Sequence, residues 1–346
     1  MQDITIQNRL IGQTHKPFII AEMSGNHNHS LERALAIVDA AAAAGADAIK
    51  LQTYTADTMT MPGVFTIEDD NSLWNGRELY DLYKEAYTPW EWHQPIFNRA
   101  KDLGLIAFSS PFDETAVDFL EELNAPAYKI ASFENTDHPL LRKVAATGKP
   151  VIMSTGAATI QEVAEGVQVL RESGCKEIIL LKCTSTYPAT PENTNLLTIP
   201  HMSELYNVQV GLSDHTMGIG AAVAAVALGA TIIEKHFTLK RSDGGVDAAF
   251  SLEPAELRSL VVESERAKLA LGYVQYGVQR AEENSRLFKR SVYASKNITA
   301  GEKFNKENIQ IIRPGFGLAP KHYDKLLSRT ANKDIQAGTP LSWDVI

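Results

Sequence analysis

Short hydrophobic runs recur along the chain, and segments with helical hydrophobic spacing lie between them. The runs cover 18–24, 47–53, 105–111, 127–132, 150–155, 177–185, 208–215 and 231–238. The intervening segments include 30–45, 113–124, 159–174 and 218–229, and each of these ends in Gly or Asn, where helices commonly stop. Strands that alternate with helices eight times predict an α/β fold, the (β/α)8 TIM barrel.

Polar residues collect at the carboxyl end of nearly every predicted strand. They are Glu22, Lys50, Gln52, Ser110, Lys129, Ser132, Glu134, Ser154, Lys182, Thr184, Ser213, His215, Glu234 and His236. A TIM barrel carries its active site at that end, where all eight strands contribute residues. The pattern therefore predicts a site built from these side chains.

Two histidines at the ends of neighbouring predicted strands indicate a metal site. His215 ends the seventh strand and His236 lies on the eighth. Adjacent strands are about 4.8 Å apart, so two such side chains can share one cation. The surrounding oxygen donors make Mn²⁺, Mg²⁺ or Co²⁺ as suitable as Zn²⁺. A single histidine at a strand end would more often be structural, and the pair favours a metal.

Three lysines on alternate predicted strands indicate an anionic ligand. Lys50, Lys129 and Lys182 lie on the second, fourth and sixth strands. A lysine within an apolar strand is costly to bury unless an anion meets it, so their convergence predicts a phosphate or carboxylate. Four serines on the same strand ends could donate to that anion: Ser110, Ser132, Ser154 and Ser213.

Two further loops carry candidate ligand contacts. The sequence GGVD places Asp247 in a flexible loop where its carboxylate could meet a hydroxyl or amide. His27, in SGNHNHS, either contacts substrate or serves the loop, because Ser30 next to it is a good helix cap. The aromatic stretch 79–93 is mostly packing, and part of it could recognise substrate. Sequence alone does not decide whether His27 or the stretch 79–93 contacts substrate.

The composition bounds the partners and the compartment. The chain has 346 residues, a net charge of −9 and two cysteines. The negative charge argues against nucleic acid or an anionic membrane as a partner. No apolar run approaches the roughly 20 residues of a membrane span, and the start lacks the pattern of a secretory signal. We expect a cytoplasmic protein with reduced thiols.

The last quarter of the chain differs from the barrel. After a predicted helix over 254–272, the polar segment 276–290 is typical of a linker. Beyond it, KNITAGEKF and KDIQAGTPL repeat one pattern within a small domain. We predict a catalytic domain over 1–275, a linker over 276–290 and a second domain over 291–346.

With these residues assembled, the chain resembles the sialic acid synthase family. The likeness runs through IAEMSGNHNHS, GADAIKLQTY, CTSTYP, GLSDHT and EKHFTL, and then through a C-terminal domain similar to type III antifreeze protein, the SAF domain. Within the family, LWNGRELYDLYKEAYTPWEWH and GGVDAAFSLEP look most like the pseudaminic acid branch. The resemblance implies condensation of phosphoenolpyruvate with an N-acetylated amino sugar.

The resemblance also implies residue roles. It gives catalytic roles to Glu22, Lys50, Glu134, His215 and His236, with His215 and His236 holding a divalent metal. It surrounds phosphoenolpyruvate with Ser110, Lys129, Ser132, Ser154, Lys182, Thr184 and Ser213. It places Gln52, Tyr187, Asp247 and Arg313 at the acceptor sugar. The position of Arg313 in the small tethered domain predicts a homodimer in which that domain is swapped onto the partner's barrel.

Three alternatives accompany this hypothesis. The acceptor could be a manno-configured sugar, giving N-acetylneuraminate or legionaminate, because sequence does not reveal sugar stereochemistry. A Schiff-base aldolase could use Lys182 or Lys129, although the histidine pair argues against it. A saccharide-binding protein without activity would leave the polar strand ends unexplained.

Overall fold

The computed structural model describes residues 1–70 and 72–346. The chain forms two compact units, Met1–Gly272 and Tyr273–Ile346. Within the described residues, no helix is both long enough and apolar enough to cross a membrane.

An antiparallel hairpin precedes the barrel strands. Its strands are β1 (Ile4–Ile6) and β2 (Arg9–Ile11). The barrel strands are β3 (Phe18–Glu22), β4 (Ala48–Thr53), β5 (Ile106–Pro111), β6 (Tyr128–Ile130), β7 (Val151–Ser154), β8 (Ile178–Cys183), β9 (Gln209–Asp214) and β10 (Ile232–His236). These eight parallel strands form a closed barrel in chain order, with β10 pairing β3. The predicted TIM barrel is confirmed.

Helices follow the barrel strands, and those that contribute to the outer hydrophobic cluster cover the outer faces of the strands. They are α1 (Leu31–Ala44), α2 (Ala56–Met59), α3 (Leu79–Ala86), α4 (Trp90–Asp102), α5 (Glu114–Glu122), α6 (His138–Ala145), α7 (Ile160–Glu172), α8 (Pro191–Thr194), α9 (Thr198–Tyr206), α10 (Gly220–Ala227) and α11 (Pro254–Leu271). Short 3-10 helices cover Ser24–His27, Ser132–Glu134, Arg241–Asp243 and Ala248–Phe250. Local signals fix the ends: the Ser30 side chain caps α1, and Gly45 ends it with a left-handed φ of 88°.

The barrel strands are buried on both faces because the helices cover the outside and side chains fill the inside. Alternate residues of one strand therefore enter different cores. On β10, Ile232 belongs to the inner cluster and Ile233 to the outer one. Lys235 shares the outward parity, and its Nζ lies 3.0 Å from Asp214 Oδ2 in a buried ion pair. Glu234 and His236 consequently face the barrel interior.

The hairpin closes the amino end of the barrel. Ile4, Ile6 and Ile11 are buried in the same inner cluster as Phe18 and Ile106. The sequence analysis did not identify these strands, because three residues are too few to show an alternating pattern.

The second unit folds around an internal pair of loops. It contains strands β12 (Ile309–Ile312) and β11 (Ser291–Ala294) and helix α12 (Tyr323–Leu326), with 3-10 helices at Arg280–Glu282, Asn284–Phe288, Pro320–His322 and Trp343–Val345. The two repeats pair directly: Ile298 and Ile335 exchange both backbone hydrogen bonds at 2.8 Å. Asn297 and Asp334 then cap each other's loop, by accepting from Ala337 N and Ala300 N. The sequence repeat is therefore a structural repeat.

Candidate active site at the carboxyl end of the barrel

Four buried charged residues form an ionic cluster inside the barrel. Lys50 Nζ lies 2.9 Å from Glu22 Oε2 and 3.4 Å from Glu234 Oε1. Lys129 Nζ lies 3.3 Å from the same Glu234 oxygen. Glu22 and Lys50 are partners in the register of β3 and β4, so the fold itself sets them together. The cluster lies one layer above the inner hydrophobic residues, at the end where the polar residues were predicted to meet.

Glu234 and Lys50 stay ionised at neutral pH. Burial alone would raise the pKa of Glu234, but Lys129 and Lys50 lower it to about 2. Burial alone would lower the pKa of Lys50, but Glu22 and Glu234 raise it to about 12. For Lys129, burial outweighs the attraction of Glu234 and the pKa falls below its ordinary value. Lys50 and Lys129 thus both contact the Glu234 carboxylate, and Lys50 also pairs with Glu22, which holds the two amino groups side by side where an anion could meet them.

Hydroxyl groups surround this cluster. Ser110 Oγ accepts from Lys50 Nζ at 3.3 Å, and Ser213 Oγ donates to Glu234 Oε1 at 3.1 Å. Ser132 Oγ accepts from the Gly156 backbone N–H at 3.2 Å. A side chain at Gly156 would collide with Ser132 and with Ser185, so glycine is needed for this approach. Ser154 Oγ is buried without a hydrogen-bond partner, which leaves it free for a ligand.

The histidine pair is assembled as predicted, with ring centroids 5.2 Å apart. His215 Nδ1 lies 3.1 Å from the Thr184 carbonyl oxygen, so Nδ1 donates and Nε2 is left to bind a ligand. His236 Nδ1 is buried without a hydrogen bond and lies 3.4 Å from Asp247 Oδ2. Asp247 in turn accepts from the Ser24 hydroxyl.

These residues fit a divalent cation with an open coordination shell. An unpartnered buried imidazole nitrogen and a nearby carboxylate are ordinary ligands for such a cation. Among residues 1–70 and 72–346, no group of three or more His, Cys, Asp or Glu side chains forms a complete metal site. The donor set is that of a catalytic site, in which water or substrate supplies the other ligands.

Glu134 has the properties of an acid–base group near neutral pH. It ends the 3-10 helix that follows β6, and its Oε2 is buried without a partner. Burial, the largest effect, raises its pKa to about 7 against the attraction of Lys129. Both protonation states of Glu134 are therefore populated at physiological pH.

A cavity of about 540 Å³ opens above these groups. Its lining brings together predicted residues from five parts of the chain: Gln52, Ser132, Glu134, Tyr187, His236 and Asp247. The Tyr187 ring lies 4.5 Å from that of His215. The volume is within the range of small-molecule sites.

Lys182 and Thr184 are not brought into this assembly. Lys182 has the outward parity of Leu180 on β8, and its Nζ donates to Cys183 O and to Thr184 Oγ1 at 3.0 and 2.7 Å. Both side chains line a different cavity, which also contains Ile160 and Met202. Arg313 is exposed in the second compact unit. The phosphoenolpyruvate contacts of Lys182 and Thr184, and the sugar contact of Arg313, stay predictions.

The sequence analysis listed Glu234 among the polar strand ends but gave it no role, and it did not place Ser24, Phe65 or Trp74 in the site. Glu234 is the centre of the ionic cluster. Its role could have been inferred from the sequence, because Glu234 lies two residues before His236 on the same strand and faces the same way. The charged Lys235 between them made it unclear which of these residues face inward. Ser24 gave no signal beyond lying just after a strand. His27 is buried and bonded to Thr88 at 3.2 Å, which favours its role in the loop.

Comparison with family models decides the membership of this chain. Residues 37–276 match the NeuB family and residues 289–346 match the SAF domain. The chain belongs to the NeuB family. The predicted membership of the sialic acid synthase family is thereby confirmed. Similar proteins include named synthases of nonulosonic acids.

A pseudaminic acid synthase of Campylobacter jejuni is 47% identical over 329 residues, covering 94% of this chain and 95% of that protein. An N,N'-diacetyllegionaminic acid synthase of Legionella pneumophila is 34% identical, covering 97% of this chain and 96% of that protein. The crystal structure of an N-acetylneuraminic acid synthetase from Leptospira borgpetersenii is similar with a TM-score of 0.74 and 34% identity. That similarity covers 82% of this chain and 95% of the other.

Proposed function

We propose that this NeuB-family chain is a pseudaminic acid synthase. It condenses phosphoenolpyruvate with 2,4-diacetamido-2,4,6-trideoxy-L-altrose and water, and it releases phosphate. The observation that carries this choice is the higher identity to a pseudaminic acid synthase than to a legionaminic acid synthase, at nearly full length in both cases. The ionic cluster and the cavity beside it are consistent with one anionic and one uncharged substrate.

Phosphoenolpyruvate is assigned to the ionic cluster. Lys129 and Lys50 meet its charged groups, and the hydroxyls of Ser110, Ser132, Ser154 and Ser213 supply hydrogen bonds. The buried cluster holds its ammonium groups in place before the substrate arrives, so little reorganisation is needed on binding. Ser110, Ser132 and Ser213 would exchange their present hydrogen bonds for bonds to the ligand.

The acceptor sugar is assigned to the cavity. Gln52, Tyr187 and Asp247 line it, and we retain Arg313 as a fourth contact. A divalent cation held by His215 and His236, with Mn²⁺, Mg²⁺ or Co²⁺ as the candidates, would act as a Lewis acid towards the sugar aldehyde. Asp247 keeps His236 in place from 3.4 Å, and the Thr184 carbonyl fixes the ring of His215.

We propose the following bond changes for these assignments. The C2=C3 π electrons of phosphoenolpyruvate attack the sugar aldehyde carbon and form the new C–C bond, which leaves positive charge at C2. The aldehyde C=O π bond breaks, and its oxygen becomes a hydroxyl by taking up a proton equivalent to the one that the added water releases. The Glu134 carboxylate stabilises that charge, and water adds to C2. The tetrahedral product then loses phosphate by cleavage of its C2–O bond, while Lys129 holds the departing phosphate. A Schiff-base aldolase is not favoured, because the similar proteins covered at nearly full length are named as pseudaminic and legionaminic acid synthases.

Release of phosphate tests this function. The purified enzyme is supplied with phosphoenolpyruvate, a divalent cation and either the altro-configured sugar or N-acetylmannosamine. We expect phosphate only with the former, and turnover only with N-acetylmannosamine would replace pseudaminate by N-acetylneuraminate. Borohydride with pyruvate should trap no adduct, whereas trapping together with resistance to chelator would favour the aldolase.

We also propose a homodimer in which each SAF domain serves the partner's barrel, with domain bounds of 1–275, 276–290 and 291–346. Large side chains between the domains are strongly exposed: Tyr273 at 79%, Val274 at 88% and Tyr276 at 95%. Apolar surface of this extent on one segment supports an interface, and a second copy is its proposed occupant. The exposure of Arg313 is consistent with a role in trans.

Complementation tests the swap. Arg313→Ala and His215→Ala should each be nearly inactive. Mixed through unfolding and refolding, they should recover about a quarter of wild-type activity, since half the dimers are mixed and each has one intact site of two. A lack of recovery, with subunit exchange verified by differential labelling, would show that Arg313 acts in cis.

A further inference from the structure

Part of the cavity lining is apolar, although the same cavity carries the polar residues assigned to the sugar. We call this part the apolar wall, and define it as Phe65, Ile67, Trp74, Leu79, Leu82 and Tyr83. All six come from the long connection between β4 and α4. Phe65 is 55% exposed, so the wall offers apolar surface that nothing within the described chain covers completely.

The wall is built into the fold. The connection folds back on itself, with Leu79 N donating to Phe65 O at 3.0 Å and Ile67 N donating to Arg77 O at 2.9 Å. The Trp74 indole N–H donates to Val246 O at 3.1 Å, one residue before Asp247. The Trp74 ring also lies 5.7 Å from that of Tyr187. The wall is thereby fixed beside Tyr187 and Asp247, both of which are assigned to the sugar.

The chemistry of the wall discriminates between a methyl and a hydroxymethyl group. Phe65, Ile67, Leu79 and Leu82 carry no hydrogen-bonding group, and that of Trp74 is engaged. Among these six side chains, the Tyr83 hydroxyl is the remaining polar group. A sugar hydroxyl placed against Phe65, Ile67, Leu79 or Leu82 loses hydrogen bonds to water that these side chains do not replace, whereas a methyl group gains from burial.

We propose that the apolar wall receives the C6 end of the acceptor and makes the enzyme select 6-deoxy sugars over their 6-hydroxy counterparts. This inference rests on the proposed function, because it assigns an acetamido sugar to the cavity. It adds the residues that determine specificity at one position of that sugar.

The test compares 2,4-diacetamido-2,4,6-trideoxy-L-altrose with the same sugar carrying a 6-hydroxyl. An apolar pocket rejects an added hydroxyl by about 100-fold, so we expect a preference of that order in kcat/KM for the wild type. Phe65→Ala and Tyr83→Ala should each reduce the preference by about tenfold through lost apolar contact, with the KM for phosphoenolpyruvate unchanged.

Tyr80→Ala is the matched control. Tyr80 lies on the same helix as Tyr83, but its hydroxyl donates to Asp57 at 2.8 Å and its ring is not in the wall. This variant should keep the wild-type preference. Loss of the preference in Tyr80→Ala to the same extent as in Tyr83→Ala would show a general effect of the helix and would overturn the inference.

The outcomes separate this inference from the proposed function. Equal turnover of both altro sugars by the wild type, or an unchanged preference in both wall variants, overturns the inference while the proposed function stands. If neither altro sugar reacts and N-acetylmannosamine does, the proposed function fails. The comparison is then made between N-acetylmannosamine and its 6-deoxy form. A preference for the 6-deoxy form supports the inferred role of the apolar wall. Equal or lower turnover of the 6-deoxy form overturns that inference.

Discussion

The two ends of the barrel interior use the same strands for opposite purposes. At the amino end, Phe18 packs with Ile6 and Ile11 of the hairpin in a sealed hydrophobic cluster. At the carboxyl end, Glu22 on the same strand as Phe18 is buried in an ion pair with Lys50. Buried charge stabilises a fold poorly in comparison with hydrophobic packing, so the second end is explained by a ligand rather than by stability.

The largest effect is expected from the metal ligands at the carboxyl end. His236→Ala should lose bound divalent cation and reduce kcat by about 1,000-fold or more, because it removes one of two imidazole ligands. Metal analysis of the purified protein and a circular dichroism spectrum check ligand loss and fold together. Full metal content in a folded variant would remove His236 from the site.

The amino end should respond in stability alone. Ile11 is fully buried, and Ile11→Ala should lower the free energy of unfolding by about 2–5 kcal/mol. Denaturant unfolding measures this loss. Leu10→Ala is the control from the same hairpin, since Leu10 is 44% exposed, and it should change little. A changed KM for phosphoenolpyruvate in Ile11→Ala, at unchanged stability, would contradict the division between the two ends.

A smaller effect is expected from the ionic cluster, and it tests which lysine contacts phosphoenolpyruvate. Lys129→Met should raise the KM for phosphoenolpyruvate by about 10- to 100-fold and that for the sugar much less, because one charged contact to one substrate is removed. Lys182→Met is the matched comparison on another strand. Its outward position predicts a smaller rise, and an equal rise in steady-state assays would return Lys182 to the phosphoenolpyruvate site.

The smallest effect concerns pH. The pKa of Glu134 is about 7, so kcat/KM should rise with pH up to that value if the carboxylate stabilises charge at C2. In Glu134→Gln, kcat/KM should be lower than in the wild type and should no longer rise with pH over this range. The same rise of kcat/KM with pH in Glu134→Gln would show that another group titrates.

The same ionisation affects stability with the opposite sign. The folded pKa of Glu134 exceeds its ordinary 4.5, so the native state retains a proton that the unfolded chain releases. The contribution of Glu134 to the free energy of unfolding is present below pH 4.5 and is lost as pH rises towards 7. Unfolding curves of the wild type and Glu134→Gln should diverge across that window.

The sequence predicted the barrel and the polarity of its strands because a hydrophobic run that ends in polar residues is a local pattern. It did not predict which face of each strand points inward, because both faces are buried and apolar. This ambiguity explains the outcome for Lys182, which points outward, and for Glu234, which lies at the centre of the cluster. Parity becomes known only when the barrel closes.

The hairpin and the apolar wall were less accessible to sequence reasoning. Strands of three residues, such as Ile4–Ile6, are too short to alternate visibly. Half of the wall, Phe65, Ile67 and Trp74, comes from the part of the connection before α3 that shows no helical or strand periodicity. Contacts with distant residues, such as that of Trp74 with Val246 O, bring this part to the cavity. The aromatic stretch 79–93 divides between two places: Tyr83 lines the cavity, whereas Trp90 stacks on Phe119 at 4.6 Å, and that pair is not in the cavity lining. Recognition of substrate by part of this stretch stays a prediction.

Isotopic labelling of the bridging oxygen tests the central claim most directly. Phosphoenolpyruvate carrying ¹⁸O between C2 and phosphorus is incubated with the enzyme, a divalent cation and the altro-configured sugar. Mass spectrometry then follows the label. Water addition at C2 followed by C–O cleavage predicts pseudaminate without label and phosphate that carries it. Label retained in the nonulosonic acid would mean P–O cleavage and would contradict the chemistry assigned to this end of the barrel.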